Sequence, residues 1–116
     1  MNMAVKPGLD LNLISLRDAL EGDLLTDQGI QILYATDASV YRELPLAVTY
    51  PKGTRDIQYL VDFASKNGTS IIPRGGGTSL AGQCVGNGIV VDVSRYMNSV
   101  VELNIKEKWV IVEPGI

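Results

Sequence analysis

The sequence predicts an α/β fold (α+β in the broader sense): a small, mainly parallel sheet with a βαβ unit, flanking helices and a C-terminal hairpin. Three observations predict it. Short apolar runs at Leu46–Tyr50, Ile71–Pro73 and Ile89–Val93 have the length and composition of buried strands. An amphipathic stretch separates the first two runs, which gives strand, helix, strand and a right-handed crossover. Two further apolar segments, Val100–Leu103 and Trp109–Val112, flank the polar Asn104-Ile105-Lys106-Glu107-Lys108 and read as a hairpin.

From the N-terminus, Leu9, Leu13, Leu16 and Leu20 recur at helical spacing, with Asp10, Arg17, Asp18 and Glu21 between them. Gly22 supplies a stop signal, so a helix over about 10–21 is expected. From Asp23 to Ser39, two turn-like clusters flank the apolar Ile30-Gln31-Ile32-Leu33-Tyr34, which predicts one short helix and a loop. Residues 1–45 are therefore expected to be an N-terminal helical segment and loop. Pro51-Lys52-Gly53 closes the strand at Leu46–Tyr50 with a turn. Thr54 is placed to cap the next helix, with Asp56 at the positive end of its dipole. Ile57, Leu60, Val61 and Ala64 form one apolar stripe, and Lys66, Asn67 and Gly68 end the helix.

Composition limits the chemistry. The chain has 116 residues, enough for one domain, and 46% of them are hydrophobic, enough for a core. A net charge of −3 argues against nucleic acid as a partner. With no histidine and one cysteine, Cys84, the chain holds no Ser-His-Asp or Cys-His unit, no histidine-ligated metal and no internal disulfide. Met1–Asp10 shows no targeting pattern, and the apolar runs fall far short of a membrane span, so a cytoplasmic location is expected.

The informative segment is Pro73-Arg74-Gly75-Gly76-Gly77-Thr78-Ser79-Leu80-Ala81-Gly82-Gln83. Three glycines without Cβ atoms let a ligand approach the backbone and permit positive φ, and successive N–H groups can converge on phosphate oxygens. Thr78 and Ser79 add hydroxyls and Arg74 adds charge. A plain surface turn is the competing reading of the glycines alone. Two nucleotide motifs fail. Gly77 to Gly82 fits the first six places of a Walker A loop, G-x-x-x-x-G-K-S/T, but Gln83 and Cys84 stand where the lysine and hydroxyl residue belong. A G-x-G-x-x-G fingerprint needs glycine where Leu80 sits, and both motifs need a helix directly afterwards. Here Gln83–Gly88 leads straight into a strand, so any ligand is held by backbone donors rather than a helix dipole.

Arg74-Gly75-Gly76-Gly77-Thr78-Ser79-Leu80-Ala81-Gly82-Gln83 resembles the pyrophosphate loop of the FAD-linked oxidase family, which includes D-lactate, glycolate and 2-hydroxyglutarate dehydrogenases. Tyr34-Ala35-Thr36-Asp37-Ala38-Ser39, Pro45–Val48, Pro51–Ile57 and Val112-Glu113-Pro114-Gly115 are similar to other stretches of that family, in order. The resemblance implies that residues 46–116 are the first subdomain of a vanillyl-alcohol-oxidase-type FAD-binding domain, truncated before the second. It implies FAD as cofactor, lined by Pro73, Arg74, Gly75, Gly76, Gly77, Thr78, Ser79 and Leu80, with Gly82 and Gln83 completing the turn. Relatives with covalent flavin often carry histidine where Thr78 stands, so non-covalent binding is implied. The parent would oxidise a small 2-hydroxy acid by hydride transfer to FAD, with no catalytic residue in this chain. A non-redox nucleotide-phosphate module and a structural interaction domain are the alternatives.

Other residues read more simply. Cys84 is expected as a small buried hydrophobe, Asp37 and Ser39 as an Asx-turn, and Trp109 and Tyr50 as packing aromatics. Asp10, Asp18, Glu21 and Asp23 are expected on a solvated helix face. Trp109-Val110-Ile111-Val112 lacks polar alternation and expects cover on both faces, so self-association through residues 100–116 is predicted for the chain alone.

Overall fold

A computed structural model describes residues 9–116; the expectations for Met1–Asp10, including a place for Asp10 in the acidic face, lie outside the described residues and side chains. Helix α1 (Leu9–Ala19) leads through β1 (Asp23–Leu25) and α2 (Gln28–Leu33) to β2 (Ala47–Tyr50), α3 (Thr54–Asn67), β3 (Ile71–Arg74) and β4 (Ile89–Asp92). Strands β5 (Val100–Asn104) and β6 (Trp109–Val112) follow as an antiparallel hairpin. The main sheet runs β1-β2-β4-β3, with β2, β4 and β3 parallel and β1 antiparallel at one edge. The α/β architecture and the terminal hairpin are those expected. The βαβ unit is a split one, because β4 lies between β2 and β3.

Alternation along the strands sorts the core into two layers. Leu24, Ala47, Ile89 and Val91 face α1 and α3, where Leu13, Leu16, Leu60 and Phe63 meet them. Val48, Tyr50, Ile72 and Val90 face the other way, against Ile30, Tyr34 and Tyr96. Both layers are apolar, which is why β2 and β4 are buried at every residue.

Several local expectations are corrected. Asp23–Leu25 is a strand rather than part of a loop, so Asp23 sits at the sheet edge and accepts a hydrogen bond from the Tyr96 hydroxyl at 2.8 Å. Gly22 does not cap α1, which ends at Ala19; it passes against the Tyr50 carbonyl, where a Cβ would have no room. Thr54 is the first helical residue of α3 and the cap is Gly53, without a side-chain bond. Asp56 does more than meet the dipole. Buried, it accepts N–H bonds from Glu21 at 3.0 Å and from Gly22 and Lys52 at 2.9 Å, tying the start of α3 to the α1–β1 junction. The buried stripe of α3 is Asp56, Leu60, Phe63 and Ala64, while Val61 is exposed, because α1 covers α3 on the Phe63 side. Gly68 ends the helix in the left-handed region, φ 62°, as expected.

Candidate functional site: the glycine loop at the carboxyl end of the sheet

The segment between β3 and β4 contains no helix, as its sequence demands. Pro73 pairs with Val91 on the outermost strand, where a residue lacking an N–H is tolerated. Gly75, Gly76 and Thr78 are exposed, Gly77 and Ser79 are half-buried, and Leu80 is 82% exposed. Among the described residues, the N–H groups of Gly75, Gly76, Gly77, Thr78, Ser79 and Leu80 donate to no protein acceptor. That makes six consecutive unspent donors at the carboxyl end of a parallel strand, the end at which open α/β sheets bind ligands.

The glycines divide into two kinds. Within the loop, only Gly77 and Gly82 carry positive φ, at 67° and 80°, so the freedom expected of the three consecutive glycines is used at one of them. A Cβ on Gly77 would strike the Arg74 guanidinium, and one on Gly82 would lie 2.7 Å from Cδ2 of Tyr41. Gly75 has open space at its Cβ position, and Gly76 has only Thr78 Cγ2 at 3.6 Å. The protein's own packing leaves those two positions free.

The second half of the loop is closed on itself. Gln83 Oε1 accepts from the Ser79 hydroxyl and from the Ala81 N–H at 3.1 Å, and the Gln83 N–H donates to Ser79 Oγ at 3.2 Å. Gln83 thus completes the turn, with Gly82 beside it. Cys84 is half-buried rather than buried, and its N–H reaches Asp37 Oδ2 at 3.4 Å. The expected Asx-turn is present: the Ser39 N–H donates to Asp37 Oδ1 at 2.8 Å. The Ser39 hydroxyl holds the Asp37 carboxyl below the usual carboxylate range; burial opposes it, and the N–H groups of Ser39 and Cys84 and the charge of Arg74 add to it.

Sequence reasoning missed a polar network behind the loop. Asp23, Tyr50, Asp92 and Arg74 occupy one row across all four strands: Asp23 pairs with Tyr50, Arg74 with Asp92, and Tyr50 follows Thr49, which pairs with Val91. The Tyr34 hydroxyl donates to Asp92 Oδ2 at 2.6 Å, so the 3.0 Å contact between Tyr34 and Tyr50 hydroxyls is donated by Tyr50. Asp92 Oδ1 accepts from the Ser94 N–H at 2.9 Å and the Ser94 hydroxyl at 2.6 Å. Burial, then the bonds to Asp92 and Tyr50, push the Tyr34 phenol far above its ordinary pKa, which keeps it a donor. Arg74 lies 5.0 Å from the Tyr34 ring centroid and donates to the Thr36 carbonyl at 2.7 Å. The sequence did carry one signal for this network: Asp92, a carboxylate closing an otherwise apolar strand. Of the two expected packing aromatics, Tyr50 is buried and Trp109 is 40% exposed.

A parallel sheet that presents a helix-free glycine loop of open donors at its carboxyl end defines a binding domain for a phosphate-bearing nucleotide. The chain belongs to the FAD binding domain family, which it matches over residues 45–116. It is 43% identical over 99 residues to D-2-hydroxyglutarate dehydrogenase of Haemophilus influenzae, covering 83% of this chain and 10% of that protein. The Escherichia coli protein of the same name is 41% identical over 98 residues, covering 82% and 10%. Glycolate oxidase subunit GlcD of Bacillus subtilis is 32% identical over 88 residues, covering 74% and 19%. Among solved structures, 4-ethylphenol oxidase from Gulosibacter chungangensis superposes with a TM-score of 0.82 at 22% identity, covering 99% of this chain and 24% of that one. p-Cresol methylhydroxylase gives 0.76 at 14%, covering 98% and 24%. The chain thus spans about a tenth to a fifth of the length of the curated relatives it matches. The fold is the vanillyl-alcohol-oxidase type, and the cofactor of the family is FAD. No histidine stands in the loop, consistent with the non-covalent FAD binding expected from Thr78. No helix among the described residues is long and apolar enough to cross a membrane.

Proposed function

We propose that this chain forms the first wall of the FAD site in a flavin-dependent dehydrogenase that oxidises a small 2-hydroxy acid in the cytoplasm. The observation that carries the reading is the run of six unspent N–H donors from Gly75 to Leu80, flanked by the open faces of Gly75 and Gly76. A pyrophosphate offers enough acceptor oxygens for such a run and needs close backbone approach. Pro73 fixes the departure of the loop from β3, Thr78 supplies a hydroxyl at its rim, Ser79 supplies its N–H while its hydroxyl is held by Gln83, and Arg74 supplies the charge. Gly82 and Gln83 hold the far end closed. Bound there, FAD would supply the hydride acceptor, while this chain positions the cofactor and leaves substrate contacts to residues outside it. The names of the relatives, dehydrogenases of D-2-hydroxyglutarate and D-lactate and a glycolate oxidase subunit, support a 2-hydroxy acid as substrate.

The test is Gly76→Val in the longer protein. Because only Thr78 lies near that Cβ position, the variant folds, yet it loses FAD on purification. Unchanged flavin content would reject the role. The 116-residue chain alone presents one wall of a site, so it binds FAD weakly and turns over no hydroxy acid. On its own it self-associates through residues 100–116, where Val101, Leu103, Val110 and Ile111 are about half exposed or more.

A further inference from the structure

We propose that Tyr34 is a positioning residue that fixes the Arg74 guanidinium against the middle of the glycine loop, and that Asp92 acts on the loop through Tyr34. The inference rests on the FAD reading above and adds the means by which the loop's charge is held in place.

Each link is a contact. Asp92 is 6% exposed and sits in the sheet between its neighbours Tyr50 and Arg74. Its Oδ2 accepts a hydrogen bond from the Tyr34 hydroxyl at 2.6 Å, a short bond to a carboxyl oxygen. The Tyr50 hydroxyl, donating to Tyr34 at 3.0 Å, and the Tyr50 ring, edge-on at 6.1 Å between centroids, remove the remaining freedom of the Tyr34 ring. That ring carries Arg74 on its face, and the Thr36 carbonyl, two residues along the same segment, takes one N–H of the guanidinium at 2.7 Å. The guanidinium then fills the space beside Gly77 that a Cβ would occupy.

The result is a fixed cation in contact with the midpoint of the donor run. A long side chain that must be ordered when ligand arrives costs binding energy, and one already held in place does not. Neither the Tyr34 ring nor the Thr36 carbonyl carries a formal charge, so these two contacts hold Arg74 without neutralising it; the Asp37 carboxyl feels the Arg74 charge but is not one of the groups that hold it. The same arrangement accounts for glycine at 77 on grounds separate from the ligand: the guanidinium occupies the space, and φ is 67°.

The test is a double-mutant cycle on FAD affinity in the full-length apoprotein, read by flavin fluorescence over a range of NaCl, with the melting temperature of each apoprotein recorded. Arg74→Gln weakens FAD binding on the order of tenfold, the loss of one charge-assisted contact, and flattens the salt dependence. Tyr34→Leu, with Arg74 intact, weakens binding by a smaller factor and flattens the salt dependence in the same sense. The double variant binds no more weakly than Arg74→Gln alone, since Tyr34 has then nothing to position. Tyr34→Phe keeps the ring and removes the hydroxyl, with its bonds to Asp92 and from Tyr50; it lies between wild type and Tyr34→Leu and guards against misfolding of the latter. Additive effects of Tyr34→Leu and Arg74→Gln, or a Tyr34→Leu variant with wild-type affinity and salt dependence, would overturn the positioning role while leaving the FAD reading intact. A wild-type apoprotein that binds no FAD would overturn both.

Discussion

Strands β4 and β6 carry nearly the same chemistry in opposite surroundings. Ile89-Val90-Val91-Asp92 is buried at all four positions, whereas Trp109-Val110-Ile111-Val112 is exposed at all four. Strand β4 bonds to β2 on one side and β3 on the other, with α1 and α3 over one face and Tyr34 and Tyr96 over the other. Strand β6 has one partner, β5, and among the described residues all four of its side chains are exposed. The hairpin is tied to the body at its base, where the Glu113 N–H reaches the Ser99 carbonyl at 2.9 Å and the Gly115 N–H the Met97 carbonyl at 2.8 Å. The difference teaches that an apolar run states a demand for cover. The layers of the fold decide whether the demand is met within the chain.

The comparison is sharpened most by the same substitution in both strands. Ile89→Ala should destabilise the 116-residue chain by about 2–5 kcal/mol, the range for a fully buried large aliphatic side chain. Ile111→Ala should cost about 0.5 kcal/mol or less when measured at low concentration, as for other surface positions. Urea unfolding of the two variants side by side is the measurement, and equal losses would mean that β6 is covered in solution.

Asp92 gives the next largest effect, because it closes β4 and holds Tyr34. Asp92→Ala leaves the half-buried Tyr34 hydroxyl without its acceptor and should cost about 1–3 kcal/mol in the same assay. Strand β6 ends on Val112, and the carboxylate after it, Glu113, accepts from the Ser99 N–H at 3.0 Å in an exposed setting. At the exposed strand, Val110→Lys should change unfolding free energy by no more than about 0.5 kcal/mol. It should nonetheless convert an associated chain into a monomer in light scattering, since lysine on an edge strand blocks pairing. A wild-type monomer at high concentration, or an oligomer indifferent to the change, would remove the hairpin as the contact.

The smallest effect belongs to the loop. The Asp37 carboxyl is held low, chiefly by the Ser39 hydroxyl, so its contribution is present above the usual carboxylate range and is lost as pH falls through the lowered value. Following the Asp37 carboxyl carbon by NMR through an acid titration should give a midpoint below that range. Ser39→Ala should bring it back towards the ordinary value.

Much of this was legible beforehand because it is written in local chemistry. The strands β2, β3 and β4 announce themselves as short apolar runs, α3 as an amphipathic period ended by Gly68, and the loop as glycine and hydroxyl residues without a following helix. Strand β1 was hidden because three residues show no period, and it exists as a strand only through its pairing with β2. The network behind the loop was hidden for a related reason: Tyr34 and Asp92 are 58 residues apart, and nothing in the sequence links them.

By itself the sequence determined the class of fold and the place of the loop, since backbone preference and apolar periodicity act over a few residues at a time. It also determined what the loop lacks, a Walker lysine and a flavin-linking histidine. Only the tertiary structure decided that β4 slots between β2 and β3, which sets Asp92 beside Arg74. That register brings a buried carboxylate, a phenol and a guanidinium into one line ending on Gly77. It likewise separated Gly77 and Gly82, which the protein's own packing and backbone require, from Gly75 and Gly76, which it leaves open. Which atoms crowd a Cβ depends on chain segments distant in sequence, and folding alone brings those segments together.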